Sequence, residues 1–192
     1  MALLDIEIGS EPNDGLGDDL RNGAQKINQN FFNVENYTGG ASYFDETYKI
    51  GSPLVIEEGV RTKLTCDNGT IVDGNLPFDF SGGMWNATTN KLVAINEKDR
   101  IILEIRFKAS ASVNNAFFDV EIDIGGTLNV ISAQTNLFSK LAGVEQSFNT
   151  LFVYFTGATF IDNGGDIFIN PINGDLNIYD INLVITRIHK GR

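Results

Sequence analysis

Cys66, His189 and a carboxylate row at Asp119, Glu121 and Asp123 are the side chains with which this chain would have to do chemistry. Cys66 is the only cysteine and His189 the only histidine. A thiol nucleophile needs a neighbouring base to draw off its proton. The one imidazole stands three residues from the C-terminus, in the basic run Arg187-Ile188-His189-Lys190, where no such pairing is legible. There is no Cys/His cluster at zinc spacing, no phosphate-cradling glycine loop ending in Lys-Ser/Thr, and no Gly-x-Ser-x-Gly elbow. No catalytic residue, metal ligand or cofactor is therefore assigned, and the chain reads as a non-enzyme. Alternate positions of one strand share a face about 7 Å apart, so the three carboxylates could gather a hard cation. A solvated charged face is the plainer reading. The run Asp14-Gly15-Leu16-Gly17-Asp18-Asp19 has the composition of a calcium loop but lacks its alternating acids and closing Glu. Trp85, after Ser81-Gly82-Gly83-Met84, is the candidate for surface recognition, set against the core or interface packing usual for so large an aromatic.

The charge balance narrows the partners. A formal net charge of −11 and a pI near 4.4 repel phosphate backbones and anionic bilayers, so neither nucleic acid nor membrane is an expected partner. No apolar run approaches the ~20 residues of a spanning helix, and no apolar signal segment follows Met1. The expectation is synthesis in a cytoplasm. Sequons at Asn36, Asn68 and Asn86 are then the chance product of an Asn-rich chain. A lone Cys66 in an alternating run reads as a small core hydrophobe.

Three segments must position whatever function there is. Residues 1–37 form an arm and a helix. After a turn cluster of Gly, Pro, Asn and Asp, Asp18 and Asp19 supply the N-cap and first-turn acids that a helix start favours. Leu20, Ala24, Ile27, Phe31 and Val34 then recur at spacings of four and three, the seam of a helix packing along one stripe. Two heptads are marginal alone, and Gly23 costs about 1 kcal/mol more than Ala would. The helix therefore needs a partner surface, either the chain's own β-domain or, the sharper reading, identical helices or a docking protein. Residues 38–58, opening on Thr38-Gly39-Gly40, read as a connector, and 59–192 as a β-sandwich.

In that domain the period changes to two. Leu103, Ile105 and Phe107 oppose Glu104, Arg106 and Lys108, and Phe118, Val120, Ile122 and Ile124 oppose Asp119, Glu121 and Asp123. Asn68-Gly69, Asn163-Gly164 and Asn173-Gly174 supply turns, the last predicting a tight hairpin between 166–170 and 176–178. Pro171 places that hairpin at an edge or a bulge. Residues 133–141 have room for one helical turn. Short strands at about ten-residue spacing predict a mainly β fold, an antiparallel sandwich of jelly-roll topology preceded by a short N-terminal arm and helix. Two strands are apolar on both faces, 151–155 and 181–188. A two-layer sandwich buries one face of each strand. The second must be covered by a loop of the chain or, the better explanation given the helix stripe upstream and 14 Phe to bury, by another subunit. Phe152, Tyr154, Val184 and Ile188 are the predicted interface residues.

The stretch Ile8-Gly9-Ser10, Asn13-Asp14-Gly15-Leu16-Gly17-Asp18-Asp19-Leu20-Arg21 and Lys26-Ile27-Asn28-Gln29-Asn30-Phe31 resembles a recurrent N-terminal motif of tailed-bacteriophage virion proteins. The chain departs from its usual form at Asn22-Gly23-Ala24. In that family the motif opens fibre, spike or capsid-decoration proteins and leads into a trimeric β-domain. The rhythm of the remainder and its apolar last strand resemble trimeric jelly rolls of the tumour-necrosis-factor-like kind. The resemblance implies a homotrimer on the virion surface, a capsid decoration or cement protein or a head fibre, docked to the major capsid protein or another virion protein by its N-terminal segment. It equally accommodates a receptor-binding tail fibre or spike tip that recognises a host glycan or protein, with Trp85 and Tyr43 as candidate contacts. A depolymerase would need paired carboxylates in a groove, which the sequence does not show.

Overall fold

The computed structural model describes residues 4–7, 15, 17, 19–35, 37–66, 70–72, 75–125 and 129–191. Helix α1, Leu20–Glu35, begins as expected, with the Asn22 N–H donated to Asp19 Oδ1 at 2.7 Å. Strands follow: β1 Gly39–Phe44, β2 Leu54–Ile56, β3 Thr62–Lys63, β4 Thr70–Val72, β5 Trp85–Asn86, β6 Lys91–Leu92, β7 Arg100–Ala111, β8 Phe117–Asp123, β9 Val130–Leu137 and β10 Gln146–Phe155. A short helix α2, Ala158–Asn163, precedes β11 Asp166–Asn173 and β12 Leu176–His189.

Two antiparallel sheets face each other. The larger runs β10-β7-β12-β1-β4 with β2 also on β12, the smaller β3-β11-β8-β9, and β5-β6 is a separate pair. Among the eight principal strands the first pairs with the last (β1·β12), the second with the seventh (β3·β11), the third with the sixth (β7·β10) and the fourth with the fifth (β8·β9). That nested pairing is the jelly roll. Period-two burial builds the core: Ile101, Leu103, Ile105 and Phe107 of β7 and Phe118, Val120 and Ile122 of β8 are inside, as their alternation predicts. Phe107, Phe118, Phe138 and Phe148 meet edge-on or tilted, except the stacked Phe107–Phe148 pair.

Three local expectations are corrected. The 38–58 connector is part of the domain: β1 pairs with β12, β2 with the far half of β12. Gly39 and Gly40 mark close approach, since a Cβ would stand 1.8 Å from the Asn75 carbonyl oxygen and 2.2 Å from that of Ile185. Asn173-Gly174 does not close a hairpin, because β11 lies in the small sheet and β12 in the large one. Gly174 does use φ 82°, but burial on different partners decides the pairing. β3 and β4 lie in different sheets, and the turn expected at Asn68-Gly69 lies outside the described residues. Residues 133–137 continue β9 as strand, pairing with β8. Pro171 sits at a register shift in β11, as its missing N–H predicts.

Candidate functional site

The two ends of the sandwich differ. β1 starts at Gly39 opposite Arg187, Arg187 pairs with Ile101, and Phe155 pairs with Arg100. Helix α1 therefore joins the domain at the end where β10 and β12 finish and β7 begins. At the opposite end lie residues 112–116, 138–145 and 173–175, separated by the length of β7, roughly 40 Å at 3.3 Å per residue. We call these ends base and tip.

At the base a buried cation holds the junction. Arg187 continues the inward parity of Ile181, Leu183 and Ile185, and its side chain is fully buried. Its Nε donates to the Tyr37 carbonyl at 2.7 Å, and Nη1 to Asp79 Oδ2 and Asp99 Oδ2, both at 3.0 Å. Nη2 stands 2.7 Å from Asp79 Oδ1. Asn96 donates to both carboxylates, Lys190 reaches Asp79 at 3.1 Å, and the Gly191 N–H meets Asp99 at 2.7 Å. Burial alone would raise the Asp79 carboxyl, but the hydrogen bonds from Arg187, Asn96 and Lys190 outweigh it and hold the group well below the usual carboxylate range. The clasp ties Tyr37, two residues beyond α1, to the last strand and two loops. Sequence reading missed it. An Arg on the core parity of a strand was the available signal.

The outward face of the large sheet is apolar near the base. Register puts Leu151, Glu104, Val184 and Ser42 in one row, Val153, Ile102 and Thr186 in the next, and Phe155 beside Arg100 in the last. Leu151, Val153, Phe155 and Ile188 are 52%, 43%, 63% and 38% exposed. Toward the tip the face turns polar, with Arg106 and Asn149 bonded to Glu104 and Lys108 to Asp180. Of the predicted interface residues, Val184 and Ile188 lie on this face. Phe152 and Tyr154 do not, being 4% and 6% exposed within the chain's own core. Both parities of β10 are apolar, so hydrophobicity could not say which one faces inward. Pairing with Leu103 and Ile101 decides it for Phe152 and Tyr154.

The small sheet's outward face contrasts with it. Arg61 lies 2.6 Å from Glu121 and 2.8 Å from Asp123 and covers the Phe168 ring at 3.6 Å, while Lys63 and Lys91 flank Asp166. The carboxylate row is thus bridged by a guanidinium, and Asp119 accepts the Thr135 hydroxyl. No group of three or more His, Cys, Asp or Glu fit to hold a metal is present among the described residues. Cys66 is in the core and His189 at the exposed end of β12.

Trp85 and Tyr43 are not surface contacts. Trp85 is 3% exposed and donates Nε1–H to the Cys66 carbonyl at 3.0 Å, and Tyr43 is 2% exposed and accepts the Met84 N–H at 2.6 Å. The described residues of the heptad stripe, by contrast, are exposed. Leu20, Ile27 and Phe31 are 92%, 43% and 66% exposed and Ala24 is exposed. The Val34 side chain lies outside the described residues. What does touch the helix is the arm: Asn30 donates to the Leu4 carbonyl at 2.9 Å and accepts its N–H at 2.7 Å, and Lys26 donates to the Asp5 carbonyl. Asn30, Lys26 and Gly23, the half-buried described positions of α1, follow Leu4, Asp5 and Ile6 in reverse order, so the arm runs antiparallel to the helix.

No protein-family model matches the chain, and no curated protein matches it in sequence. Among solved structures it is similar to the Eiger TNF of S. frugiperda, at 10% identity and a TM-score of 0.47 over 80% of this chain and 94% of that one. The globular domain of zebrafish complement 1qA protein follows at 6% identity and 0.46, over 79% and 98%. The PRD1 vertex protein gives 14% identity and 0.42, over 79% and 73%.

Proposed function

We propose that the chain is a non-enzymatic structural protein of a tailed-bacteriophage virion. It is a homotrimeric capsid decoration or cement protein, or a short head fibre, at the virion surface. Its N-terminal segment docks to the major capsid protein or another shell protein. The observation that carries this reading is the apolar base of the large sheet, Leu151, Val153, Phe155 and Ile188, exposed beside the junction with a helix whose described stripe residues are themselves exposed. Contiguous exposed apolar surface on a soluble domain marks an interface. The motif of residues 8–31 supports the phage setting, and the separation of base from tip suits a protein held at one end. Light scattering of the full chain at micromolar concentration tests the trimer, and a monomer would refute it. Binding to phage heads lacking the protein tests the docking. Saturable binding that disappears on deleting residues 1–37 is expected, and binding by the truncated chain would refute it.

A receptor-binding tail fibre or spike tip is the second reading, favoured by one feature of the tip. Residues 138–145 are tied down: Gly143 N–H to the Ala111 carbonyl, Ala142 N–H to Asn114, Ser139 N–H to Gln146, and Tyr179 to Glu145. That held loop presents Leu141 at 70% and Val144 at 45% exposure. Rigidly presented loop residues are where recognition concentrates. Strong adsorption of the purified protein to host cells, abolished by Leu141→Asp, would select this reading over the first.

A further inference from the structure

We infer that the stripe on α1 is filled by the same stripe of neighbouring copies, and that the arm of each copy lies in the groove between adjacent helices. This rests on the trimer proposed above and names the occupant of its helical seam. Three observations select a second copy over another partner. The described apolar positions Leu20, Ala24, Ile27 and Phe31 keep the four-three spacing that lets identical helices interdigitate.

Charge is the second. In a chain of net charge −11, the stretch 20–34 contains no Asp or Glu, and the positions flanking the stripe are Arg21, Gly23, Asn28 and Asn30. Between copies the acids at that seam are then limited to Asp5 and Glu7 of the arm and Glu35 at the helix end, with Arg21 and Lys26 on the helix as counter-charges. The third is continuity. Helix α1 leaves the domain at the base, where the clasp holds Tyr37, and the apolar part of the large sheet is at that same end. Copies joined through that face bring their helices together.

The arm supplies what a two-heptad seam lacks. Gly23, Lys26 and Asn30, the positions it covers, sit about 90° round the helix from the middle of the stripe, at 100° per residue. Ile6, 40% exposed and lying on Gly23, therefore widens the apolar surface on one flank only, while Leu4 lines the groove on the far face with Asn22, Gln25 and Phe32. In a closed ring of parallel helices that flank meets the opposite flank of the next copy. The helix face turned away, which includes Asn22, Gln25 and Gln29, is left to the shell protein.

Cysteine cross-linking in the full chain tests this, since native Cys66 is buried. Ala24→Cys lies in the stripe and Asn22→Cys on the outward face. Under mild oxidation Ala24→Cys should form interchain disulfides about tenfold faster or more than Asn22→Cys, because the assembly raises the effective thiol concentration. Adding Leu4→Asp and Ile6→Asp should slow that linkage several-fold, with circular dichroism confirming an unchanged β-domain. If light scattering shows a trimer but Ala24→Cys links no faster than Asn22→Cys, the seam is wrong while the trimer stands. Unchanged linkage in the arm variant refutes the arm's part. A monomeric wild type removes the trimer and the seam together.

Discussion

Replacing Arg187 with Met should remove a large share of the domain's stability, although the two side chains have similar length. The guanidinium is fully buried between Asp99, also fully buried, and Asp79. Removing it leaves the buried Asp99 without its counter-charge, while the partly exposed Asp79 keeps Lys190 at 3.1 Å. Breaking a buried pair from one side costs about 3–5 kcal/mol, against a total stability of about 5–15 kcal/mol for a domain. With a urea slope of about 2 kcal/mol per M, the midpoint should fall by about 2 M. Trp85, the chain's only tryptophan and buried in the core, is the natural fluorescence probe. Arg187→Met combined with Asp99→Asn should lose less than Arg187→Met alone, because no uncompensated carboxylate is left beside the gap. The pH dependence has a fixed sign. Asp79 is held below its unfolded value, so its contribution is full above about pH 4 and is lost as pH falls below that. Asp79→Asn should flatten that acid limb. An Arg187→Met protein within about 1 kcal/mol of wild type would refute the clasp as a major contributor.

The other predictions read separate parts of the chain. Val153→Asp, on the exposed face, should dissociate the assembly by light scattering while leaving the circular dichroism of the domain intact. Phe152→Asp, one residue away on the core face, should abolish folding itself. Gly40→Ala should destabilise by more than about 1 kcal/mol in urea titration, because its Cβ would stand 2.2 Å from the Ile185 carbonyl oxygen. Gly23→Ala should instead raise helicity and stability by about 1 kcal/mol, since its Cβ meets Ile6 only at 3.9 Å. Cys66, with no exposed surface, should react with a thiol reagent only as fast as the protein unfolds.

The sandwich was legible wherever one face of a strand is charged. Glu104, Arg106 and Lys108, or Asp119, Glu121 and Asp123, can face only outward, so Leu103 and Val120 must face in. Pairing was less legible. Asn173-Gly174 has the chemistry of a hairpin, yet local chemistry does not record that β11 finds its neighbours at Phe117–Asp123 and Thr62–Lys63. The glycine pair at 39–40 misled for a related reason. Glycine signals flexibility and close approach with the same letter, and only the positions of Asn75 and Ile185 distinguish them.

The same limit explains the candidate site. Strand 151–155 was seen to be apolar on both faces, and that implied an interface, but two apolar parities are symmetric until a partner strand breaks the tie. Arg187 is the converse case, where parity was unambiguous and the residue type argued against it. A charge on a core parity therefore deserves to be read as half of a buried pair, with the other half sought among acids near turns, as Asp79 and Asp99 are here. On that reading the apolar face and the clasp are linked. Ile188, exposed on the outward face, follows Arg187 directly in β12, so the residue that fixes the helix junction also fixes the edge of the apolar surface. Under the proposed function, assembly and anchoring would share this base, and the tip, roughly 40 Å away along β7, would be left to vary in its loops without disturbing either.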